Sequence, residues 1–279
     1  MSASRPTISD KRRTFRQLHA SGCFVLPNPW DIGSAQFLQT LGFKALATTS
    51  AGFAWSQGRP DGGLPCERVL EHLAAMTAAT DVPVNADFEH GFAHDAAEVA
   101  ENVRLAVATG VAGLSIEDST GHGGGPLYAL DTAVERIRAA RRAIDQAGGD
   151  TVLVGRAECF LVGRPDLDET IDRLKAYAGA GADCLYAPGL RTREQIAAVV
   201  EAVAPKPVNV LIGSAHALSM DDLAGLGVRR VSVGGALARA AWGGFMRAAR
   251  DIAEHGRFDA LGSAASHQEL NALFPRSEG

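Results

Sequence analysis

The stretch Pro83-Val84-Asn85-Ala86-Asp87-Phe88-Glu89-His90-Gly91-Phe92 reads as a short apolar strand that ends in a carboxylate, adds a second carboxylate two residues later, and turns at a glycine. Asp87 and Glu89 are separated by one residue, so in extended chain both side chains point the same way. Two carboxylates at one strand end repel each other unless a cation lies between them. Mg²⁺, a hard ion that favours oxygen ligands and keeps several waters, suits that place. Taken alone, the pair reads more simply as two solvated acids in a loop, because surface charge is common and buried charge rare. Its neighbours along the chain change that balance.

Outward from this stretch the same unit recurs. A helix is expected over 7–20, then the apolar run Cys23-Phe24-Val25-Leu26, stopped by Pro27-Asn28-Pro29. A helix over 31–41 leads to Ala45-Leu46-Ala47-Thr48, and one over 66–79 precedes the opening stretch. Beyond it, helices over 95–108, 131–146, 166–179, 191–203, 219–225 and 236–255 alternate with strands at 113–116, 151–155, 183–187, 207–211 and 229–233. Alternating strand and helix requires parallel strands with right-handed crossovers, and eight such units predict a closed (β/α)8 TIM-type barrel of the α/β class. The rival, an open doubly wound sheet, calls for G-x-G-x-x-G after its first strand; here Pro27-Asn28-Pro29-Trp30 stands there. The expectation is one domain over 1–279, with an N-terminal helix at 7–20 and a helical tail over 236–279 in which Leu270, Leu273 and Phe274 are the apolar anchors of an otherwise polar end.

Composition narrows the partners. The hydrophobic fraction of 46% and charged fraction of 21% are ordinary for a globular protein. A net charge of −5 argues against nucleic acid, and no apolar run is long enough to span a membrane. Residues 1–10 lack the apolar core of a secretory signal. The four cysteines, Cys23, Cys66, Cys159 and Cys184, lie far apart with no C-x-x-C spacing, which fits reduced thiols in a cytoplasmic protein.

In such barrels the chemistry sits at the C-terminal ends of the strands. Those ends carry Asn28, then Ser50 to Gly52, then Asp87 and Glu89, then Glu117 and Asp118, then Arg156 and Glu158; Asn209 lies on the seventh strand. Three consecutive strands deliver acids or an arginine to one rim, which favours a metal held by Asp87, Glu89 and Glu117, acting as a Lewis acid on a carbonyl or enolate oxygen. Arg156 suits a carboxylate or phosphonate through its planar fork, although pairing with Glu158 inside the rim is the structural alternative. The backbone N–H groups of Ser50, Ala51 and Gly52 suit a second carboxylate, or form an ordinary strand-to-helix turn. Asn209 could hydrogen-bond the same ligand.

Together these pieces resemble the isocitrate lyase/phosphoenolpyruvate mutase superfamily over nearly the whole chain. The likeness is carried by Leu26-Pro-Asn-Pro-Trp-Asp31, Thr49-Ser-Ala-Gly52, Asp61, Asp87-Phe-Glu-His-Gly91, Ser115-Ile-Glu-Asp118, Gly155-Arg-Ala-Glu158 and Ala178-Gly-Ala-Gly-Ala-Asp183. The resemblance implies a Mg²⁺-dependent barrel enzyme, with Mn²⁺ as the other candidate ion, that makes or breaks C–C or P–C bonds next to a 2-oxo acid. It also implies homo-oligomers, dimers assembled into tetramers, in which the last helix swaps onto a neighbouring subunit. It places the metal positions on Asp87, Glu89 and Glu117, some of them through water, the carboxylate-binding turn on Ser50 to Gly52, the anion-binding arginine on Arg156, and a mechanistically important acid on Asp61.

The chain departs from that pattern at the gate. Lyases of the family carry a cysteine on the loop after the fourth strand; here the loop is Ser119-Thr-Gly-His-Gly-Gly-Gly-Pro126. Pro188 stands where the family has a glutamate, and Glu89 replaces the second aspartate of its metal motif. The chain is thus similar to the 2-methylisocitrate lyase-like subgroup without the gate cysteine. A retro-aldol cleavage needs a base for the hydroxyl and an acid for the departing carbanion, and the acids nearest in sequence are His122 and Cys159. His122 on its glycine-rich loop also reads as solvated, and Cys159 as a small buried apolar residue. Decarboxylation of a 3-carboxy-2-oxo acid, through a metal-stabilised enolate, needs less. The expected activity is a Mg²⁺-dependent C–C lyase, 2-methylisocitrate lyase-like or oxaloacetate decarboxylase-like. The alternatives are a P–C bond hydrolase or mutase on phosphonopyruvate-type substrates, and a 2-oxo acid binding protein without turnover.

Overall fold

The computed structural model describes residues 5–121 and 126–274. In chain order these form α1 (Ile8–Ala20), β1 (Phe24–Leu26), α2 (Ile32–Thr40), β2 (Leu46–Ala47), α3 (Ser50–Ser56), α4 (Cys66–Ala79), β3 (Val84–Asp87), α5 (Ala96–Ala108), β4 (Gly113–Glu117) and α6 (Leu130–Gln146). There follow β5 (Val152–Arg156), α7 (Leu167–Gly179), β6 (Cys184–Tyr186), α8 (Arg193–Val203), β7 (Val208–Leu211), α9 (Met220–Gly225), β8 (Arg230–Ser232), α10 (Ala236–His255), a 3₁₀ turn at Asp259–Ser263 and α11 (His267–Leu273). Helix starts are fixed by side-chain caps on the orphan backbone N–H groups: Thr7 with Asp10, Asp31 with Ser34, Thr192 with Gln195 and Ser219 with Asp222 form reciprocal capping boxes.

All strand pairs are parallel, in the order β1-β8-β7-β6-β5-β4-β3-β2. The result is the expected (β/α)8 barrel. Its seam lies between β1 and β2, where the Ala47 N–H donates to the Pro27 carbonyl at 3.0 Å. Asn28 clamps this seam. Its Nδ2 donates to the Thr48 carbonyl at 2.9 Å, while its Oδ1 accepts from the N–H groups of Val233 and Gly234, both at 2.9 Å. One side chain thereby ties together the ends of β1, β2 and β8.

Strand alternation divides the core in two. Outward-facing Leu114, Ile116, Leu153, Leu185 and Val208 pack on the apolar faces of the helices. The inner set includes Leu26, Ala47, Val152, Val154 and Cys184, with Phe15 of α1 as a plug. Phe15 is fully buried, and a Cβ at Gly113 would lie 2.6 Å from its ring, so the plug requires glycine there. All four cysteines are free, and among the described residues no helix is long and apolar enough to cross a membrane.

Beyond α10 the tail forms a 3₁₀ turn and α11, helical as expected. Two local expectations need correction. Thr49 to Gly52 is not a plain turn but the start of helix α3, capped by Thr49. Asp87 and Glu89 do not share one extended segment: β3 ends at Asp87, and Glu89 takes a left-handed φ of 46°. α10 itself buries only Ala238 and leaves Trp242, Phe245 and Met246 exposed.

The N-terminal end of the barrel contains a pH-sensitive contact. His19 donates from Nδ1 to the Phe15 carbonyl at 2.7 Å, and its Nε2 lies 3.3 Å from Arg230 Nη1. Burial, followed by the nearby Arg230 charge, pushes the imidazole down to about 3 from an ordinary 6.5. The folded chain therefore refuses a proton that the unfolded chain accepts. The stabilisation is complete above pH 6.5 and is lost as the pH falls toward 3. In urea titrations across that window, His19→Gln should flatten the fall in stability by up to about 1.4 kcal/mol per pH unit. An unchanged slope would contradict a neutral His19.

Candidate active site

The C-terminal mouth of the barrel is organised around Arg156, the last residue of β5. Its Nη1 lies 3.1 Å from Asp87 Oδ1 at the end of β3 and 3.2 Å from Glu117 Oε2 at the end of β4. Its Nε donates to Glu158 Oε1 at 2.5 Å, and the guanidinium carbon sits 5.1 Å from the centre of the Tyr186 ring. Strand register accounts for this convergence. Glu117 is directly paired with Arg156, and Asp87 lies beside Ser115, two residues before Glu117 on β4.

The supports of these side chains are themselves bonded. Asp87 donates its N–H to Thr48 Oγ1 at 2.9 Å, and its Oδ2 accepts from the Ser50 N–H at 3.1 Å. Glu158 is held from behind by Asp118, which accepts the Glu158 N–H at 2.8 Å, the Tyr177 hydroxyl at 2.6 Å and Arg173 Nη1 at 3.1 Å. Glu89 reaches the same rim from a turn in which Gly91 and Phe92 also have positive φ. A non-glycine residue rarely adopts that conformation.

Five carboxylates, Asp61, Asp87, Glu89, Glu117 and Glu158, thus surround one guanidinium at the two adjoining cavities of the mouth. Burial, then repulsion from Asp87 and Asp61, pushes Glu89 up to about 8 against the pull of Arg156. Burial raises Glu117 well above the carboxylate range despite Arg156, with Glu158, Asp87 and Glu89 adding to the rise. Glu158 is raised mainly by burial, against the same arginine. Asp61 as a residue is exposed, but its carboxyl is withdrawn from water enough to rise; a Ser50 hydrogen bond opposes the shift and Asp87 adds to it.

This donor set fits a hydrated divalent cation. It is all oxygen, carries surplus negative charge, and is strained by that surplus. Among the described residues no three potential ligands converge closely enough to coordinate one ion directly. The fit is therefore to an ion held partly through water, as Mg²⁺ commonly is.

The first cavity, of 140 Å³, extends down the barrel from Ser50, Asp61 and Arg156 to Asn85, Ser232 and Arg230. The second, of 280 Å³, joins the first at Ser50, Asp61 and Arg156 and runs outward past Glu89, Glu117 and Leu161. Of the residues singled out from sequence, Ser50, Ala51, Asp61, Asp87, Glu89, Glu117 and Arg156 line these spaces. Gly52 does not. Its N–H donates to Thr49 Oγ1 at 3.3 Å, and a Cβ there would lie 2.8 Å from Trp30, so the glycine serves packing. With the Ser50 N–H given to Asp87, only the Ala51 N–H of the three is left without these local partners.

Asn209 is fully buried and lies outside both linings; its Nδ2 donates to Ser232 at 3.0 Å and its Oδ1 accepts from Arg230 at 2.8 Å. His122 lies outside the described residues, and Cys159 is fully buried with its thiol raised by desolvation. Sequence reasoning missed Arg230, Asn85 and Ser232. The available signal was polar residues at alternate positions of strands that otherwise read as buried.

The phosphoenolpyruvate phosphomutase family profile matches residues 15–253. The fold superposes on the crystal structure of a Burkholderia cenocepacia J2315 protein proposed to be a lyase/mutase, with a TM-score of 0.92 and 49% identity over 96% of this chain and 97% of the other. Oxaloacetate acetylhydrolase in complex with its product oxalate gives a TM-score of 0.85 at 25% identity, over 97% and 95% of the two chains. In sequence, the oxaloacetate decarboxylase of Paraburkholderia xenovorans (strain LB400) is 32% identical over 231 residues, covering 79% of this chain and 74% of its own.

Proposed function

The chain belongs to the phosphoenolpyruvate phosphomutase family, within the isocitrate lyase/PEP mutase superfamily, and we propose that it is a divalent-metal-dependent lyase of small 2-oxo acids of the oxaloacetate type, cleaving a C–C bond at the carbon next to the carbonyl. The observation that carries this reading is the ring of carboxylates around Arg156 at the two adjoining cavities of 140 and 280 Å³. The oxaloacetate chemistry in the names of two relatives points to the same substrate class.

In this reading Asp87, Glu89 and Glu117 would hold Mg²⁺ or Mn²⁺, in part through water. When bound, the ion supplies Lewis acidity toward the 2-oxo oxygen. Arg156 donates to an anionic oxygen of the acid and keeps Glu158 and Asp87 in register. For oxaloacetate the bond between C3 and C4 breaks. Its electron pair passes toward C2 and the 2-oxo oxygen, CO₂ departs, and a proton returns to C3 to give pyruvate. The reading assigns delivery of that proton to Asp61, whose carboxyl is raised by burial and hydrogen-bonded by Ser50; His122 is the other candidate. The family profile's own name keeps a second reading open, P–C bond cleavage of a phosphonopyruvate-type acid, which phosphate release would reveal. Binding without turnover is the third.

The exposed Trp242, Phe245 and Met246 of α10 supply the apolar face that a second copy of the chain would cover, giving dimers or tetramers. Sedimentation should show an oligomer that Phe245→Glu shifts toward monomer; a monomeric wild-type protein contradicts this assembly. For the chemistry, the metal-loaded protein should release pyruvate and CO₂ from oxaloacetate above a metal-only blank. Chelation should abolish the release, and Arg156→Lys should lower kcat/KM by about 10²-fold or more. No turnover of oxaloacetate, 2-methylisocitrate or related acids would sink the lyase reading.

A further inference from the structure

Below the carboxylate ring lies a cation that the proposed chemistry does not use. Arg230, the first residue of β8, is 3% exposed and lines the floor of the inner cavity. No carboxylate lies within ion-pair distance of it among the described residues. Its partners are neutral: Asn209 Oδ1 at 2.8 Å from Nε, and Asn85 Oδ1 at 3.4 Å and His19 Nε2 at 3.3 Å from Nη1. The ring of Phe15 lies 6.0 Å away. Its Nη2 makes no hydrogen bond with the described residues.

Uncompensated burial of a guanidinium is strongly unfavourable, and such charges are normally paired. The other anion binders of the cavity are largely committed. Arg156 is shared among three carboxylates, and the N–H groups of Ser50 and Gly52 are spent on Asp87 and Thr49. Beside Arg230, Ser232 Oγ accepts from Asn209 Nδ2 at 3.0 Å and is hydrogen-bonded to the Tyr186 side chain, and Ser232 also lines the cavity. At 140 Å³ the cavity is small against the roughly 300–1,000 Å³ of ordinary ligand pockets, so its occupant is a small acid.

We propose that Arg230, beside Ser232, forms a carboxylate-binding site at the barrel floor that anchors one carboxylate of the acid that enters the cavity. The recognised chemistry is a monovalent carboxylate, either free or belonging to the substrate. Only the identity of the natural occupant rests on the lyase reading. Asn209 and Asn85 act as positioning residues that orient the guanidinium without neutralising it.

Formate is the direct probe, titrated calorimetrically into full-length, metal-free protein at constant ionic strength with chloride as the balancing anion. The wild-type protein should bind one formate per chain, and Arg230→Gln should weaken binding at least 10-fold. Should Arg230→Gln fail to fold, Asn209→Asp provides the second test. It sets a carboxylate against Arg230 Nε with no change in size, so it should raise the thermal midpoint while abolishing formate binding. To separate free from substrate carboxylate, KM for oxaloacetate should rise at least 10-fold in Arg230→Gln, and formate should compete with oxaloacetate. Absence of formate binding in the wild type, unchanged binding in both variants, or preference for chloride overturns the proposal. Failure of turnover leaves the formate result standing, so the two readings fail separately.

Discussion

The interaction on which the mouth of this barrel depends is the sharing of one guanidinium by more carboxylates than it can neutralise. Arg156 sits between Asp87, Glu117 and Glu158, with Glu89 and Asp61 close by. Each contact by itself is an ordinary ion pair. Collectively they leave the rim short of positive charge in a place with little water. Burial and mutual repulsion raise Glu89 to about 8, and Glu117 and Glu158 rise with it. A fold maintains such an arrangement only when the surrounding structure over-determines it. Here the strand register brings the acids together, and Asp118, itself bonded to Tyr177 and Arg173, fixes Glu158 from behind. A site already charged and desolvated responds strongly to a cation or an anionic substrate, because electrostatic interactions gain strength as water is excluded.

Charge is also separated along the barrel axis. Acids crowd the rim while Arg230 lies beneath, among amides and a histidine held neutral. The inner wall between them is polar, with Asn85, Ser115 and Ser232 where a purely structural barrel would carry branched aliphatics. Packing is supplied instead by the outer layer, where Leu114, Ile116, Leu153 and Leu185 meet the helices, and by Phe15 closing the N-terminal end. Asn28 spans both tasks, since it clamps the seam and lines the cavity.

Much of this was legible in the chain. Alternating apolar runs and helical patterns give the barrel, because period-two and period-3.6 hydrophobicity follow directly from backbone geometry. Asp87, Glu117 and Arg156 fall at strand ends, and a barrel puts all such ends on one rim. What could not be read was which donors remain free. The Thr49-Ser-Ala-Gly52 segment looked like an open turn, but capping by Thr49 and the bond from the Ser50 N–H to Asp87 commit two of its three N–H groups. Glu89 looked parallel to Asp87 until the left-handed turn after β3 sent it to the outer cavity. Asn209 and Arg230 sit on strands whose inward side is certain only once register is known. Such features are set by tertiary contacts, which local pattern does not encode.

Whether the rim carboxylates hold a divalent cation is decided by calorimetric titration of Mg²⁺ into metal-stripped protein. One Mg²⁺ should bind per chain in the wild type, with binding lost in Asp87→Asn and Glu117→Gln variants whose circular dichroism is unchanged. Equal Mg²⁺ affinity in the wild type and both folded variants would contradict it.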